Sequence, residues 1–189
     1  VASRGLGDVY KRQAAEHLTP VTLELGGKSP CILDQGVPLE RAINRITWGK
    51  FFNVGQTCVA PDYVLVHESD FDRTVEQFKR TLKEFYGEFP LESRHLGRIV
   101  NQQHFQRLKN LMKDGEILVG GELDQNALKI SPTLLKVENA NCPLMQEEIF
   151  GPLLPIIPYV TMDQALEFVN ERPKPLAFYL FTNRAEVEQ

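Results

Sequence analysis

The stretch that decides the fold runs from Pro20 to Val66 and reads PVTLELGGKSPCILDQGVPLERAINRITWGKFFNVGQTCVAPDYVLV. Two short apolar runs, Val21–Leu25 and Cys31–Leu33, lie on either side of Gly26-Gly27 and predict two strands separated by a turn. Apolar residues at near-helical spacing follow the second run and predict a helix. These residues are Leu39, Ala42, Ile43, Ile46 and Phe52.

The rest of the chain continues this alternation. Tyr63–Val66 predicts a strand, and Phe71–Phe85 carries apolar residues three and four apart, as in a helix packed on a sheet. Further helices are predicted at about Gln102–Met112 and at Met162–Asn170. The further predicted strands are Ile117–Val119, Thr133–Val137, Leu153–Val160 and Ala177–Phe181. The pattern predicts an α/β fold with a mostly parallel sheet flanked by helices.

The first thirteen residues differ from the remainder of the chain. Val1–Gln13 shows no apolar period of either kind, so we expect a non-native or disordered leader there. Gly5-Leu6-Gly7 is not interpreted as a dinucleotide loop. No strand precedes it, and Tyr10 stands where the third glycine would be needed.

Composition excludes several classes of function. A net charge of −4 gives no reason to expect a nucleic acid as partner. No apolar run approaches the roughly 20 residues of a membrane span. The three cysteines are an odd number without CxxC spacing, so we expect neither a disulfide framework nor a metal site, and a reducing cytoplasmic setting is favoured.

The first candidate for chemistry is Cys58, in Gly55-Gln56-Thr57-Cys58. A glycine three residues before a cysteine permits a tight turn, in which outward-pointing backbone N–H groups favour a thiolate. The competing interpretation is a small buried hydrophobic residue, which is the usual role of a single cysteine. The tetrapeptide alone leaves both open.

Two carboxylates form the other candidates. Glu24 lies in an apolar run shortly before two glycines. It is interpreted either as a solvated strand end paired with Lys28 or as a general base at a ligand site. Glu147-Glu148-Ile149-Phe150-Gly151-Pro152 is either a solvated loop or a cofactor site. In the second case a carboxylate accepts hydrogen bonds from ribose hydroxyls and a Phe ring covers a flat ring.

The order and separation of these motifs carry more information than each motif alone. ELGGKSP, GQTC and EEIFGP, at these gaps, resemble the aldehyde dehydrogenase superfamily from Ala14 to Gln189. The segment Cys58-Val59-Ala60-Pro61-Asp62-Tyr63 is similar to the class 3 branch, which includes the fatty-aldehyde enzymes. So are the segments around Phe85-Tyr86-Gly87 and Lys174-Pro175-Leu176-Ala177.

The resemblance implies an oxidoreductase that converts an aldehyde to a carboxylic acid with NAD or NADP. It makes Cys58 the nucleophile and Glu24 the base for the hydrolytic water. It makes Glu148, rather than Glu147, the ligand of the nicotinamide ribose, with Phe150 beside the cofactor. The backbone of Leu25 and Gly26 would face the nicotinamide. The remaining notable residues, Lys28, Asn53, Cys31 and Cys142, are expected to be structural.

The resemblance also implies a division of the chain. Residues 14–25 would end the cofactor-binding domain, and residues 26–189 would form a catalytic domain incomplete at its C-terminus. We therefore expect the isolated chain to be inactive, the parent protein to be a homodimer, and membrane attachment only through a C-terminal tail. Two alternatives stay open: a thiol hydrolase in which His67 or His104 serves Cys58, and a non-catalytic product that acts by binding.

Overall fold

A computed structural model gives the fold and describes residues 2–22 and 26–185, with the side chains of residues 2–6 left out. The α-helices are α1 (Ala2–Glu16), α2 (Leu39–Phe51), α3 (Phe71–Tyr86), α4 (Gln102–Leu111), α5 (Pro143–Gln146) and α6 (Met162–Asn170). The strands are β1 (Pro30–Leu33), β2 (Tyr63–His67), β3 (Glu116–Val119), β4 (Leu123–Asp124), β5 (Lys129–Ile130), β6 (Thr133–Lys136), β7 (Leu153–Tyr159) and β8 (Tyr179–Phe181).

Six of these strands form one sheet in the order β3-β6-β7-β2-β1-β8. All neighbours run parallel except β3 and β6, which are antiparallel. Pro30 is the register partner of Tyr63 in the central β1–β2 pair, and Val64 is that of Ile156 in the β2–β7 pair. The predicted α/β fold with a mostly parallel sheet is therefore confirmed.

Helices cover both faces of the sheet. Ile32 and Leu65 point into one apolar cluster, which contains Phe105 of α4 and Ala165 of α6. Alternate strand residues point into a second cluster with α2 and α3. These include Cys31, Leu33, Val64, Val66, Ile43, Ile46, Val75 and Phe78. Because both faces are buried, β1 and β2 are almost continuously apolar instead of alternating.

The elements match the predicted ones closely, with α6 at the predicted bounds. The sequence did not predict α5 or the β4–β5 pair, which are too short to show a period. The predicted strand Val21–Leu25 lies mostly outside the described residues, and Val21 and Thr22 have no regular structure. No helix in the described part of the chain is long and apolar enough to cross a membrane.

The amino-terminal segment is helical in the structure, and the expectation of a non-native or disordered leader over residues 1–13 stays a prediction. Ala2–Glu16 is helical, although its sequence has no clean apolar stripe. Helical hydrogen bonds join residues four apart in the same segment, so a helix can form without the periodicity that marks a packed face. The domain limits at residues 13 and 25 stay predictions.

Candidate functional site

The three sequence motifs meet at one edge of the sheet. Gly26–Ser29 leads into β1, Gly55–Asp62 leads into β2, and Glu147–Pro152 leads into β7. Since these three strands are parallel neighbours or near neighbours, the segments that precede them lie side by side. The site is thus built at the amino ends of the strands.

The loop that carries Cys58 is held against the Glu148 loop by a close backbone approach. Asn53, Val54 and Gly55 are left-handed in succession, with φ of 49°, 59° and 73°. A Cβ on Gly55 would lie 2.2 Å from the carbonyl oxygen of Gly151. Only glycine permits this contact, so the glycine of GQTC joins the two loops.

Cys58 itself occupies a tight turn. The backbone N–H of Ala60 donates to the carbonyl of Thr57 at 3.0 Å, and this turn leaves the Cys58 side chain partly exposed. Cys31 and Cys142 are both buried, and burial raises the pKa of the Cys31 thiol far above its usual range. Of the three thiols, Cys58 is the one that a small molecule can approach.

The Gln56 side chain fixes the start of the Cys58 turn. Its amide nitrogen donates to the carbonyl oxygens of Asn53 and Arg98, at 3.2 Å and 3.0 Å. Its amide oxygen accepts from the backbone N–H of Val100 at 2.9 Å. The turn is thereby tied to the segment between α3 and α4.

Glu148 lies against the two glycines that precede β1. The backbone N–H of Gly27 donates to the Glu148 carboxylate, and a Cβ on Gly26 would lie 2.4 Å from Glu148 Oε2. Burial and the neighbouring Asp62 raise the pKa of Glu148, whereas the Gly27 hydrogen bond and two lysines act in the opposite direction. Glu148 Oε1 is buried without a hydrogen-bond partner among the described residues.

Lys28, which we expected to be structural, connects the loops of all three motifs. Its ammonium forms an ion pair with Asp62 and donates to the carbonyls of Leu144 and Glu147, at 2.9 Å and 3.0 Å. Asp62 in turn accepts from the backbone N–H of Ile149 at 3.0 Å. One buried ion pair therefore fixes the loops before β1, β2 and β7 relative to each other.

Two side chains of helix α4 contact the backbone carbonyls of the Glu148 loop. Arg107 donates to the carbonyls of Glu148 and Ile149, and His104 Nε2 lies 2.7 Å from the Phe150 carbonyl oxygen. Burial lowers the pKa of His104. Phe150 is left-handed with φ of 49° and is 36% exposed, so part of its ring is free for a ligand.

Sequence reasoning missed Lys50 and Asp62 as members of this site. Lys50 is completely buried on α2, and burial lowers its pKa to about 8. A signal was present, since Lys50 continues the apolar stripe of Ile43 and Ile46 at a spacing of four residues. A charged residue on a buried helix face requires a partner.

Neither of the two histidines considered for a thiol hydrolase forms a hydrogen bond with Cys58 among the described residues. His67 ends β2, at the opposite end of that strand from the Cys58 turn, and its Nδ1 lies 2.8 Å from Ser69 Oγ. His104 is engaged by the Phe150 carbonyl and by Arg107. The expected site residues Glu24 and Leu25 lie outside the described residues, whereas Gly26, Cys58, Glu148 and Phe150 belong to the loops described above.

A helix-covered, mostly parallel sheet, with an accessible thiol and a half-buried carboxylate at one edge, defines a class of α/β domain built around a cysteine. The profile of the aldehyde dehydrogenase family matches residues 1–188, and the chain belongs to this family. The resemblance of the sequence motifs to this family is thereby confirmed.

Named relatives confirm the class 3 branch. The chain is 50% identical over 185 residues to "Aldehyde dehydrogenase, dimeric NADP-preferring" of Rattus norvegicus, covering 98% of this chain and 41% of that protein. It is 49% identical over 178 residues to "Aldehyde dehydrogenase family 3 member A2" of the same organism, covering 94% of this chain and 37% of that protein. The chain thus spans about two fifths of the length of these relatives.

Solved structures agree with the fold. The "Substrate bound state of Staphylococcus Aureus AldH" matches with a TM-score of 0.93 and 46% identity, over 98% of this chain and 41% of that chain. The "NAD+ complex structure of aldehyde dehydrogenase from bacillus cereus" matches with a TM-score of 0.82 and 28% identity, over 96% of this chain and 38% of that chain.

Proposed function

We propose that the full-length protein containing this chain oxidises an aldehyde to a carboxylic acid with NAD or NADP, using Cys58 as nucleophile. The observation that carries the proposal is the accessible Cys58 turn. Close approach of Gly55 to Gly151 places this turn directly beside the Glu148 loop. A reactive thiol and a candidate cofactor carboxylate are thereby brought to one edge of the sheet. Membership of the family supplies the reaction type.

The residues of this chain account for both half-reactions. The Cys58 thiolate attacks the aldehyde carbon, so an S–C bond forms and the carbonyl oxygen becomes an alkoxide. A nicotinamide cofactor, when bound, would supply the hydride acceptor that this carbon needs in order to become a thioester on Cys58. Glu24 takes a proton from water, the resulting hydroxide attacks the thioester, and the S–C bond breaks to release the acid and the thiolate.

The alkoxide requires hydrogen-bond donors at the thiol. The backbone N–H of Cys58 is one donor in this chain, and it lies in the turn that the Ala60–Thr57 hydrogen bond closes. One such donor contributes roughly 3 kcal/mol to the stability of a transition state. Both the attack and the hydrolysis form an oxyanion at this place.

The described residues fit a nicotinamide nucleotide. Glu148 offers a buried oxygen without a partner among the described residues, Gly26 lets this carboxylate approach the backbone, and Phe150 is partly exposed. A carboxylate accepts hydrogen bonds from two ribose hydroxyls, and a phenyl ring packs on a planar heterocycle. Glu148 and Phe150 would therefore hold the nicotinamide half, with the backbone of Leu25 and Gly26 facing its ring.

The substrate class that we propose is an apolar aldehyde. Trp48 and Phe52 are 64% and 59% exposed, with ring centroids 5.5 Å apart. They precede Cys58 by ten and six residues along the chain. Exposed aromatic rings are suited to bind a hydrocarbon chain, and the short separation from Cys58 along the chain supports their assignment to the substrate.

Homodimer formation and a cytoplasmic location belong to the same proposal. The printed name of the rat relative calls that protein dimeric and NADP-preferring. Its 50% identity to this chain supports a dimer and extends the choice of cofactor to NADP. Attachment to a membrane through a C-terminal tail stays a prediction of the resemblance.

The test compares Cys58→Ser with Cys31→Ala in the full-length protein. We expect Cys58→Ser to lower aldehyde-dependent NAD(P)H formation by on the order of 10⁴-fold or more, because the hydroxyl lacks a base that activates it. Cys31→Ala removes a buried thiol from the sheet and is expected to retain activity. Absorbance at the nicotinamide band measures both variants.

A thiol hydrolase would give a different result. Such an enzyme would hydrolyse esters without cofactor and would form no NAD(P)H from any aldehyde. That outcome for the unmodified full-length protein would overturn the proposal, as would full dehydrogenase activity in Cys58→Ser.

A further inference from the structure

Tyr179, on strand β8, donates a hydrogen bond to the Cys58 turn from outside the three motifs. Its hydroxyl donates to the backbone carbonyl of Val59 at 2.6 Å, and Val59 directly follows Cys58 in the chain. Strand β8 pairs with β1, where Cys31 is the register partner of Tyr179. The nucleophile turn, which leads into β2, is therefore tied to the strand on the other side of β1.

The hydroxyl of Tyr179 has a role that packing alone does not explain. Its ring is half-buried against the apolar cluster of α2 and α3, a contact that a phenylalanine ring would make equally well. Burial raises the pKa of the Tyr179 phenol, with smaller contributions from Cys31 and Cys58. The phenol therefore keeps its proton at neutral pH and acts as a donor. What tyrosine adds at this position is the hydrogen bond to the turn.

The hydrogen bond from Tyr179 and the hydrogen bond that closes the turn share one peptide unit. The Val59 carbonyl, which accepts from Tyr179, belongs to the same peptide unit as the N–H of Ala60. That N–H donates to the carbonyl of Thr57 at 3.0 Å. The Thr57 carbonyl belongs in turn to the peptide unit that carries the Cys58 N–H. A chain of hydrogen bonds thus starts at the Tyr179 hydroxyl and ends at the nucleophile's own amide.

Such a chain acts on the last amide in two ways. A hydrogen bond to a carbonyl polarises its peptide unit and makes the N–H of that unit a stronger donor, so successive bonds strengthen each other. A peptide unit that is bonded at both its oxygen and its N–H is also restricted in rotation. Both effects favour a transition state in which an oxyanion forms, because donors stabilise it best when they are oriented before the reaction.

We propose that Tyr179 is a positioning residue for the oxyanion site: its hydroxyl anchors the Cys58 turn and polarises the Cys58 N–H through this chain of hydrogen bonds. The inference rests on the proposed function, in which the Cys58 N–H donates to the oxyanion. In this mechanism Tyr179 contacts neither substrate nor cofactor and acts through the backbone of the turn. Removing its hydroxyl should therefore slow the chemical step and leave cofactor binding unchanged.

The experiment compares Tyr179→Phe with Tyr159→Phe in the full-length protein. Tyr159 is the matched control, because its hydroxyl also donates to a backbone carbonyl, that of Leu33, at 2.9 Å. Leu33 is the last residue of β1, at the opposite end of the strand from the Cys58 turn. Both variants lose one hydroxyl and keep the ring. We expect the single-turnover rate of NAD(P)H formation to fall about fivefold in Tyr179→Phe and by less than about twofold in Tyr159→Phe.

Two further measurements separate positioning from a general effect on folding. The dissociation constant of NAD(P)H should stay within about twofold of the unmodified value in both variants, since the loss is confined to the chemical step. In protein labelled at its cysteine nitrogen atoms, the amide signal of Cys58 is assigned by its absence in Cys58→Ser. Its proton resonance should move upfield in Tyr179→Phe, where the chain loses its first bond, and stay in place in Tyr159→Phe.

Equal single-turnover rates for Tyr179→Phe and Tyr159→Phe would overturn the inference, as would a Cys58 amide signal that stays in place in Tyr179→Phe. If Tyr179→Phe does not fold, ring-fluorinated tyrosine, a stronger donor, is incorporated into the unmodified sequence. The Cys58 amide signal should then move downfield, and a signal that stays in place would again overturn the inference. Failure of the proposed function is distinguishable, since the unmodified full-length protein would form no NAD(P)H from an aldehyde while the amide signal still reports the chain.

Discussion

At the scale of single residues, Gly26 shows how the site depends on the absence of a side chain. Its φ of +72° is a left-handed conformation, and its Cα faces the Glu148 carboxylate. Gly36 has nearly the same φ, +75°, but nothing lies within 4 Å of the position its Cβ would take. The two glycines separate the cost of backbone strain from the cost of displacing Glu148.

We predict that Gly26→Ala weakens NAD(P)H binding by the full-length protein about tenfold or more, while Gly36→Ala leaves it unchanged. Both alanines would be strained by on the order of 1 kcal/mol, so both should lower thermal stability to a similar extent. Only the Cβ at position 26 collides with Glu148 Oε2, at 2.4 Å. Fluorescence titration and a melting curve for each variant provide the test. A cofactor affinity for Gly26→Ala equal to that of Gly36→Ala would contradict it.

At the scale of secondary-structure elements, one ion pair holds three strand-leading loops in place. Lys28 and Asp62 come from the segments before β1 and β2, and both bind the segment before β7. Their side chains are 10% and 4% exposed, so neither charge is well solvated. The backbone carbonyls and the N–H that they bind would also lose partners if either residue were removed.

We predict that Lys28→Met lowers the free energy of unfolding by about 3–5 kcal/mol, because it leaves the Asp62 carboxylate buried and unpaired. Lys79→Met is the control: Lys79 and Glu76 form an ion pair on the solvent face of α3, with 46% and 58% exposed side chains. That pair should be dispensable. Urea titration of both variants measures the difference. A Lys28→Met protein as stable as Lys79→Met would show that the loops are fixed by packing alone.

The sequence predicts the elements well wherever a period is long enough to read. The stripe of α3 and the buried runs of β1 and β2 follow from apolar spacing, and the structure confirms them. Helix α5 spans only four residues, Pro143–Gln146, and is too short for such a signal. The left-handed Asn53 and Val54 were not predictable either, since only contacts with the rest of the fold compensate the strain of non-glycine residues there.

The site could be predicted only in part, for a related reason. Motif order identifies Cys58, Gly26, Glu148 and Phe150 as candidates, and the parallel sheet brings their loops to one edge. The ion pair of Lys28 with Asp62 joins residues 34 positions apart, so no local sequence pattern predicts it. Lys50 was detectable as a charge on an apolar stripe, but its complete burial becomes apparent only from the fold.

At the scale of the whole molecule, the position of the site on the sheet is unusual. Open α/β sheets commonly bind ligands at the carboxyl ends of their strands, whereas Gly26, Cys58 and Glu148 precede the amino ends of β1, β2 and β7. Glu24, predicted at the carboxyl end of a strand, stands two residues before Gly26 in the chain.

This arrangement leads to the last prediction, that the isolated 189-residue chain does not oxidise aldehydes. The chain spans 41% of the rat relative, so more than half of the length of a family member has no counterpart here. In our proposal Glu148, Phe150 and Gly26 contact only the nicotinamide half of the cofactor. A dinucleotide that makes so few contacts binds weakly. We therefore expect no NAD(P)H formation from a medium-chain aldehyde by the isolated chain, while the full-length protein turns over.

Circular dichroism should show a folded α/β domain, so that inactivity is not due to unfolding. Turnover by the isolated chain within about tenfold of the full-length rate would mean that residues 1–189 contain the whole catalytic site.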